Sequence, residues 1–435
     1  MPKTHLIAAL LGAMITLLAL VGHGVATSPE PRCAGDRPLT VIGGRDDSGM
    51  RRALITGWRA PDGTKAVFRE LPANIDLEHS ELVATARSET CAADVYLVDG
   101  PWIPEFAQAG YIAPVGIPGG DLAAIMPELR RTGQYRGKLW AVPLNTDAPL
   151  LIYRKDLVKD VPRTRADLMA AAGKAASGRR AGLMLQLERY EGFTVNILES
   201  IRDHGGDVEV GEDGSVALDR GAVLAALNDL AAGMRRERPP VSPASLDADE
   251  NDGVDAFERG ETAFMRNWPA FYTLLTNREK LRPDQVGAVA YPGARVLGGQ
   301  SLAIAAGLPA GRARAARALI RHLTGRAQQQ RLFACGGWAP VRADAYDADA
   351  GGCQVRNKRL VLHADAAVIL EAVKGAHPRP SSVFYPEFSG VLQQRLRERL
   401  RCLVHPAECP PQPADGEFLD RLTAELERAA RGRGR

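Results

Sequence analysis

Trp140-Ala-Val-Pro-Leu-Asn-Thr-Asp147 and Leu150-Leu-Ile-Tyr153 are two extended apolar segments broken by a polar turn, and their reading decides the fold. A chain that runs extended, turns on polar residues and runs extended again is expected where it crosses from one lobe to another, so a hinge is placed here. Upstream, the short apolar run 39–42 ends at Gly43-Gly44 and enters the polar turn Arg45-Asp46-Asp47-Ser48, the pattern of a strand running into a loop and helix. Asp94-Val-Tyr-Leu-Val-Asp99 repeats that pattern, with a helix expected over 103–109. Such βα units imply a parallel open sheet. Ligands gather beyond the carboxyl ends of strands in open α/β sheets, which makes Asp47 and Asp99 candidates for one cleft wall. The competing reading of each is a helix N-cap.

Downstream of the hinge, helical patterning covers 165–177 and 222–236, and a Pro/Asp/Glu-rich stretch at 239–253 reads as a surface loop. A helix starts at 255, and a strand over 262–265 ends at Asn267-Trp268-Pro269. Gly298-Gly299-Gln300 before 301–306 marks a second crossing, 313–323 reads as an apolar-faced helix, and 417–435 as a terminal one.

The composition limits the function. With 435 residues, 45% hydrophobic and 25% charged, the chain supports two or three domains with real cores. Its 55 basic against 52 acidic residues give a net charge of +3, far from what neutralising a phosphate backbone requires, so nucleic acid is not an expected partner. The only long apolar run, 6–21, follows Lys3 and precedes Gly24-Val25-Ala26. Residues 1–26 therefore read as a secretory signal, with an uncleaved N-terminal anchor as the alternative. The first cysteine, Cys33, lies beyond Pro29 and Pro31, which does not support a lipid anchor. Six cysteines in an exported chain allow fifteen disulfide connectivities. Proximity in sequence pairs Cys402 with Cys409, Cys335 with Cys353 and Cys33 with Cys91. No C-x-x-C or H-x-x-x-H occurs, and His79, His204, His322, His363 and His377 are scattered, so no metal is expected. G-x-G-x-x-G, the P-loop, G-x-S-x-G and internal repeats are missing as well, and no cofactor is expected.

Several segments together resemble the bacterial extracellular solute-binding proteins of ABC importers, in particular the carbohydrate class and its trehalose/maltose-type binders. They are Gly44-Arg-Asp-Asp-Ser-Gly49, DVYLVDGPWIPEF (94–106), Gly137-Lys-Leu-Trp-Ala-Val-Pro143 and Leu151-Ile-Tyr-Arg-Lys-Asp-Leu157. Further on come Tyr190-Glu-Gly-Phe-Thr-Val-Asn196, AFERGETAFMRNWP (256–269), Gly298-Gly-Gln-Ser-Leu-Ala-Ile304, Arg379-Pro380 and Tyr385-Pro-Glu-Phe-Ser389. The resemblance implies an α/β, two-lobe periplasmic-binding-protein-like fold with a hinge and an interlobe ligand cleft. It implies lobe I from 36–146 plus 300–340, and lobe II from 147–299 plus 341–430. The implied function is capture of a di- or oligosaccharide for an ABC permease by a non-enzymatic, monomeric, extracytoplasmic protein.

A sugar needs a flat aromatic for its C–H faces and fixed polar groups for its hydroxyls. Trp268 matches the family's stacking tryptophan. Asp99, Asp147 and Arg379 match positions that hold hydroxyls, and Asp47 is a looser match. Gly298 and Gly299 match a close backbone approach to ligand, and Asn145 and Glu191 lie in matching segments. The chain departs from the pattern at Ala270, where many relatives carry a second aromatic before Phe271 and Tyr272, and at Gln300, where an aromatic is common. Trp102 and Trp338 are the candidate replacements. Two other readings follow from the sequence: a membrane-tethered sensor that keeps the fold without transport, and, more remotely, an exported glycoside-processing enzyme using paired carboxylates such as Asp99 and Asp147.

Overall fold

The computed structural model describes residues 37–72, 74–88, 91–278, 280–347, 353–355, 358–362 and 365–433. The expected signal or anchor segment, Cys33 and His363 lie outside the described residues.

Two sheets organise the chain. The first holds β1 (Leu39–Gly43), β2 (Ala66–Glu70), β3 (Val95–Asp99), β4 (Ile112–Ala113), β5 (Ala141–Asp147) and a late strand; the second holds β6 (Leu150–Arg154), β7 (Ala181–Met184), β8 (Thr262–Asn267) and β9 (Val286–Ala290). The late strand of the first sheet is β10 (Gly298–Ala305), antiparallel to β3 on one side and to β5 and β4 on the other. Every residue of β3 and β5 is buried, as strands covered on both faces require.

The period-2 alternation sorts the side chains of the first sheet between two layers. Val41, Val95 and Leu97 pack in one cluster with Met50 and Leu54 of α1 (Met50–Gly57), and Ile42, Tyr96 and Val98 in another with Leu82 of α2 (Ile75–Arg87). Around the second sheet, Leu151, Leu183 and Phe264 pack with α3 (Glu191–Asp203) and α4 (Arg220–Met234), while Met184 and Met265 face α5 (Glu250–Glu258). After β10 the chain adds α6 (Ala310–Leu323) and α7 (Arg326–Gly336), which packs on α1. It then returns to the second sheet's layer as α8 (Tyr385–Val404) and α9 (Asp415–Ala430), which pack against each other, with α8 also against α3 and α4.

Two expectations are corrected. The first sheet is mixed rather than parallel: β1, β2 and β3 are parallel, but β10 enters from the second sheet and therefore runs antiparallel to all its neighbours. The stretch 239–253 is not a bare loop. Val241, Ser245 and Leu246 are buried, and Asp249 begins α5 with a capping box to Asp252, so the helix starts at Glu250 rather than 255.

The pairs Cys335–Cys353 and Cys402–Cys409 are disulfide-bonded, with Cα separations of 5.3 and 5.5 Å. Cys91 is also disulfide-bonded, and its expected partner lies outside the described residues. None of the described helices is long and apolar enough to cross a membrane.

Candidate binding cleft

The strand register brings the site together. Gly298 pairs with Asp147, and Gln300 pairs with both Asn145 and Asp99, so the ends of β3, β5 and β10 converge where the chain crosses between the sheets. A cavity of about 910 Å³ opens there, within the range of small-molecule sites. It is lined by Asp47, Asp99, Asp147, Glu191, Trp268, Gly298, Gly299 and Arg379 of the residues singled out from sequence. Asn145 instead lines a second cavity of about 280 Å³, which shares Asp99, Gly298, Gly299 and Arg379 with the first.

These residues do different things. Trp268 is held by its indole N–H, which donates to Glu250 at 3.1 Å, and by the Arg266 guanidinium 3.9 Å from its ring centre. Gly298 keeps that ring clear: a Cβ here would lie 3.6 Å from the indole edge. Gly299 has φ +117°, and a Cβ would meet the Asn145 carbonyl oxygen at 2.4 Å, so strand pairing itself demands glycine there. Asp99 is a cap and also lines the cavity. Its Oδ1 accepts from the Gly100 N–H at 2.8 Å as a cap and from Arg379 at 2.6 Å.

Arg379 also donates to Glu191 at 2.8 Å, and Glu191 accepts from Tyr385 and, at 2.6 Å, from Ser389. The Glu191 oxygens are thus occupied by protein, and Arg379 ties β3 to α3. Asp47 sits at the rim, 40% exposed and paired with Arg45 at 2.6 Å; the buried carboxylate of that turn is Asp46, which accepts from the Ser48 and Arg51 N–H groups.

Two groups that sequence reading passed over, Arg51 and Glu78, complete the wall together with Trp338, one of the two candidate replacement aromatics. Arg51, fully buried on α1, donates to Asn145 at 3.0 Å and lies 3.6 Å from the Trp338 ring centre. Trp338 lines the cleft, whereas Trp102 is buried in the core beside His79 and does not reach it. Glu78 accepts from the Gly44 N–H at 2.7 Å. Burial pushes Glu78 to about 8 and Asp147 to about 7, with Arg51 pulling both the other way. A carboxylate at an inward position of a predicted helix is the signal that would have found Glu78. Arg51 carries no comparable sequence signal, because its partner Trp338 is remote in the chain.

Several polar atoms of the lining are buried and have no protein partner: Asp147 Oδ1, Thr273 Oγ1, Gln300 Oε1, Trp338 Nε1 and Arg379 Nε. Buried groups of this kind are costly unless something hydrogen-bonds them. At the edge of this lining, Glu188 and Asp249 bring carboxylate oxygens within 4.8 Å of each other and of Asp252, which lies just outside it.

A family model for bacterial extracellular solute-binding proteins matches residues 72–352. A probable ABC transporter-binding protein from Deinococcus radiodurans is 28% identical over 306 residues, covering 66% of this chain and 72% of that protein. The structure of a maltose-bound MalE3 from T. maritima superposes with a TM-score of 0.76 at 25% identity, covering 90% of this chain and 99% of that one. A Thermotoga lettingae solute-binding protein of an ABC transporter, bound with α-D-tagatose, superposes with a TM-score of 0.73 at 21% identity, covering 91% and 100%. The last likeness concerns the fold.

Proposed function

The chain belongs to the bacterial extracellular solute-binding proteins, and from that premise we propose that it captures a di- or oligosaccharide outside the cytoplasm and delivers it to the membrane permease of an ABC importer. One observation carries the reading. The cleft between the two sheets sets two tryptophans, Trp268 and Trp338, beside unpartnered polar atoms at Asp147, Thr273 and Gln300. Aromatic faces take the C–H faces of a pyranose, and a carboxylate, an amide oxygen and a hydroxyl take its hydroxyl groups. Trp338 supplies the second stacking surface that Ala270 and Gln300 do not. The likeness to the probable ABC transporter-binding protein of Deinococcus radiodurans and to the maltose-bound MalE3 supports the same reading.

In this reading the lobes comprise 36–146 plus 300–340 and 147–299 plus 341–430, and they close on ligand about the crossings at 147–150 and 290–298. Closure requires that ligand bind the closed form better than the open one. Asp99 and Arg379 then act from the cleft floor, Asp99 through Oδ2, and Asp47 from the rim. Asn145 orients Asp147 through its amide, 3.1 Å away. Glu191 holds Arg379 in place. The test is titration calorimetry against neutral and substituted di- and oligosaccharides, repeated on Trp268→Ala. A hit whose affinity falls at least tenfold in the variant supports the site; unchanged affinity removes Trp268 from it.

A further inference from the structure

The chain as a whole is nearly balanced in charge, yet its cleft is not. Eight carboxylates and four arginines line the cavity, and three of the arginines are already in ion pairs. Arg45 pairs with Asp47, Arg379 with Asp99 and Glu191, and Arg278 with Asp255 and Glu258 outside the lining, which leaves Arg51, held by Asn145 and Trp338, as one lining cation to set against five carboxylates. Five of the carboxylates, Glu78, Asp147, Glu188, Asp249 and Glu250, form no ion pair within 4.0 Å among the described residues. Glu250 is committed to Trp268 and Tyr190, and Asp249 caps α5. Asp147 is the telling member: it is 8% exposed, its Oδ1 has no partner, and among the described residues its carboxylate accepts a hydrogen bond only from the Asn145 amide, at 3.1 Å.

We infer that the ligand of this cleft is a glycoside carrying a primary amine, whose ammonium group docks between Asp147, Asp99 and Glu78. The inference rests on the carbohydrate reading and narrows it. An ammonium donates three hydrogen bonds and accepts none, which suits a wall with acceptors at Asp147 Oδ1, Asp99 Oδ2 and Gln300 Oε1. A neutral hydroxyl satisfies the same acceptors without compensating their charge.

The titration behaviour of the wall agrees. Asp147 faces Arg51, Arg266, Asp99 and Tyr346, and Glu78 faces Arg51 and Asp99 together with the Gly44 N–H. Arg51 does not hold both acids ionised, and burial leaves them partly protonated near neutral pH. A bound cation reverses that and expels the proton; a neutral sugar does not.

The experiment compares neutral disaccharides with their amine-bearing counterparts, trehalose with trehalosamine and cellobiose with the fully deacetylated chitin disaccharide, within a wider panel of neutral and amino oligosaccharides. Calorimetry at pH 7.5 in two buffers of different ionisation enthalpy reports affinity and protons exchanged together. The amine-bearing member is expected to bind roughly ten- to hundredfold tighter, the gain of a charge-assisted contact, with net proton release. That advantage shrinks below threefold in Asp147→Asn, and proton release falls in Glu78→Gln. A neutral sugar binding as tightly as its amine counterpart, without proton exchange, overturns the amine assignment and leaves the carbohydrate reading standing. Failure of every neutral and amino sugar to bind overturns the carbohydrate reading itself.

Discussion

Replacing Arg266 by methionine isolates the device that holds Trp268. Arg266 is fully buried at the end of β8; its Nε and Nη2 donate to the Glu199 carboxylate at 3.1 and 2.8 Å, and its guanidinium backs the Trp268 ring at 3.9 Å. Glu199 is itself buried and, among the described residues, keeps one other donor, the Val296 N–H at 3.1 Å. Stranding a buried carboxylate by removing its partner costs about 3 to 5 kcal/mol, and the lost cation–π contact adds about 0.5 to 2 kcal/mol. That is a large part of the roughly 5 to 15 kcal/mol that stabilises a domain.

Guanidinium denaturation followed by far-UV circular dichroism is the assay, with wild type, Arg266→Met, and Arg266→Met combined with Glu199→Gln. The double variant strands no charge and retains an acceptor for Val296, so it recovers most of the loss. Ligand affinity falls less in Arg266→Met than in Trp268→Ala, because Glu250 still tethers the indole. A single variant within 1 kcal/mol of wild type, or a double variant as unstable as the single one, would refute the reasoning.

Three further outcomes are expected. Asp147 and Glu78 are raised from 3.8 to about 7 and from 4.5 to about 8 by burial; an acid raised in the folded state destabilises increasingly as pH climbs from its unfolded to its folded value. Stability therefore declines between about pH 4 and pH 8, and Asp147→Asn flattens the decline, which melts across that range will show. Removing the Cys335–Cys353 bridge, whose partners are 18 residues apart, costs about 3 kcal/mol. It also weakens ligand binding, since Trp338 follows Cys335 by one short turn; melting and titration of the double serine variant check both. Gly299→Ala, with a Cβ 2.4 Å from the Asn145 oxygen at φ +117°, loses at least about 1 to 3 kcal/mol. Gly298→Ala, whose nearest contact is 3.4 Å, folds normally and loses affinity instead.

The strands were legible because their signal is local. Asp94 to Asp99 and Trp140 to Tyr153 are apolar, short and bounded by turn residues, and they form the strands expected. The direction of β10 was not legible: nothing between Gly298 and Ala305 records that it enters from the second sheet, and that path alone makes it antiparallel. The same limit separates the site residues. Trp268-Pro269 and Gly298-Gly299 announce themselves through neighbouring residues, as does Asp99 at a strand end. The Arg51–Trp338 stack and the Arg379–Glu191–Tyr385 cluster join residues far apart in sequence, so no short motif reports them. Asp249 was missed as a cap because acidic, proline-rich sequence reads as loop, although an Asp followed by Asp252 three residues on also begins a helix.

The late position of β10 has a consequence for how the chain is made. The first sheet's inner strand is the last of its strands to be synthesised, following β3 by the whole stretch from Asp99 to Gly298. At the usual pace of translation that interval lasts about 10 to 40 s. Throughout it, β3 and β5 have no partner strand between them, and the amino-terminal part of the molecule cannot close its core. Folding of this half therefore waits on residues encoded far downstream, and a chain interrupted anywhere before Ala305 has no complete first sheet to retain.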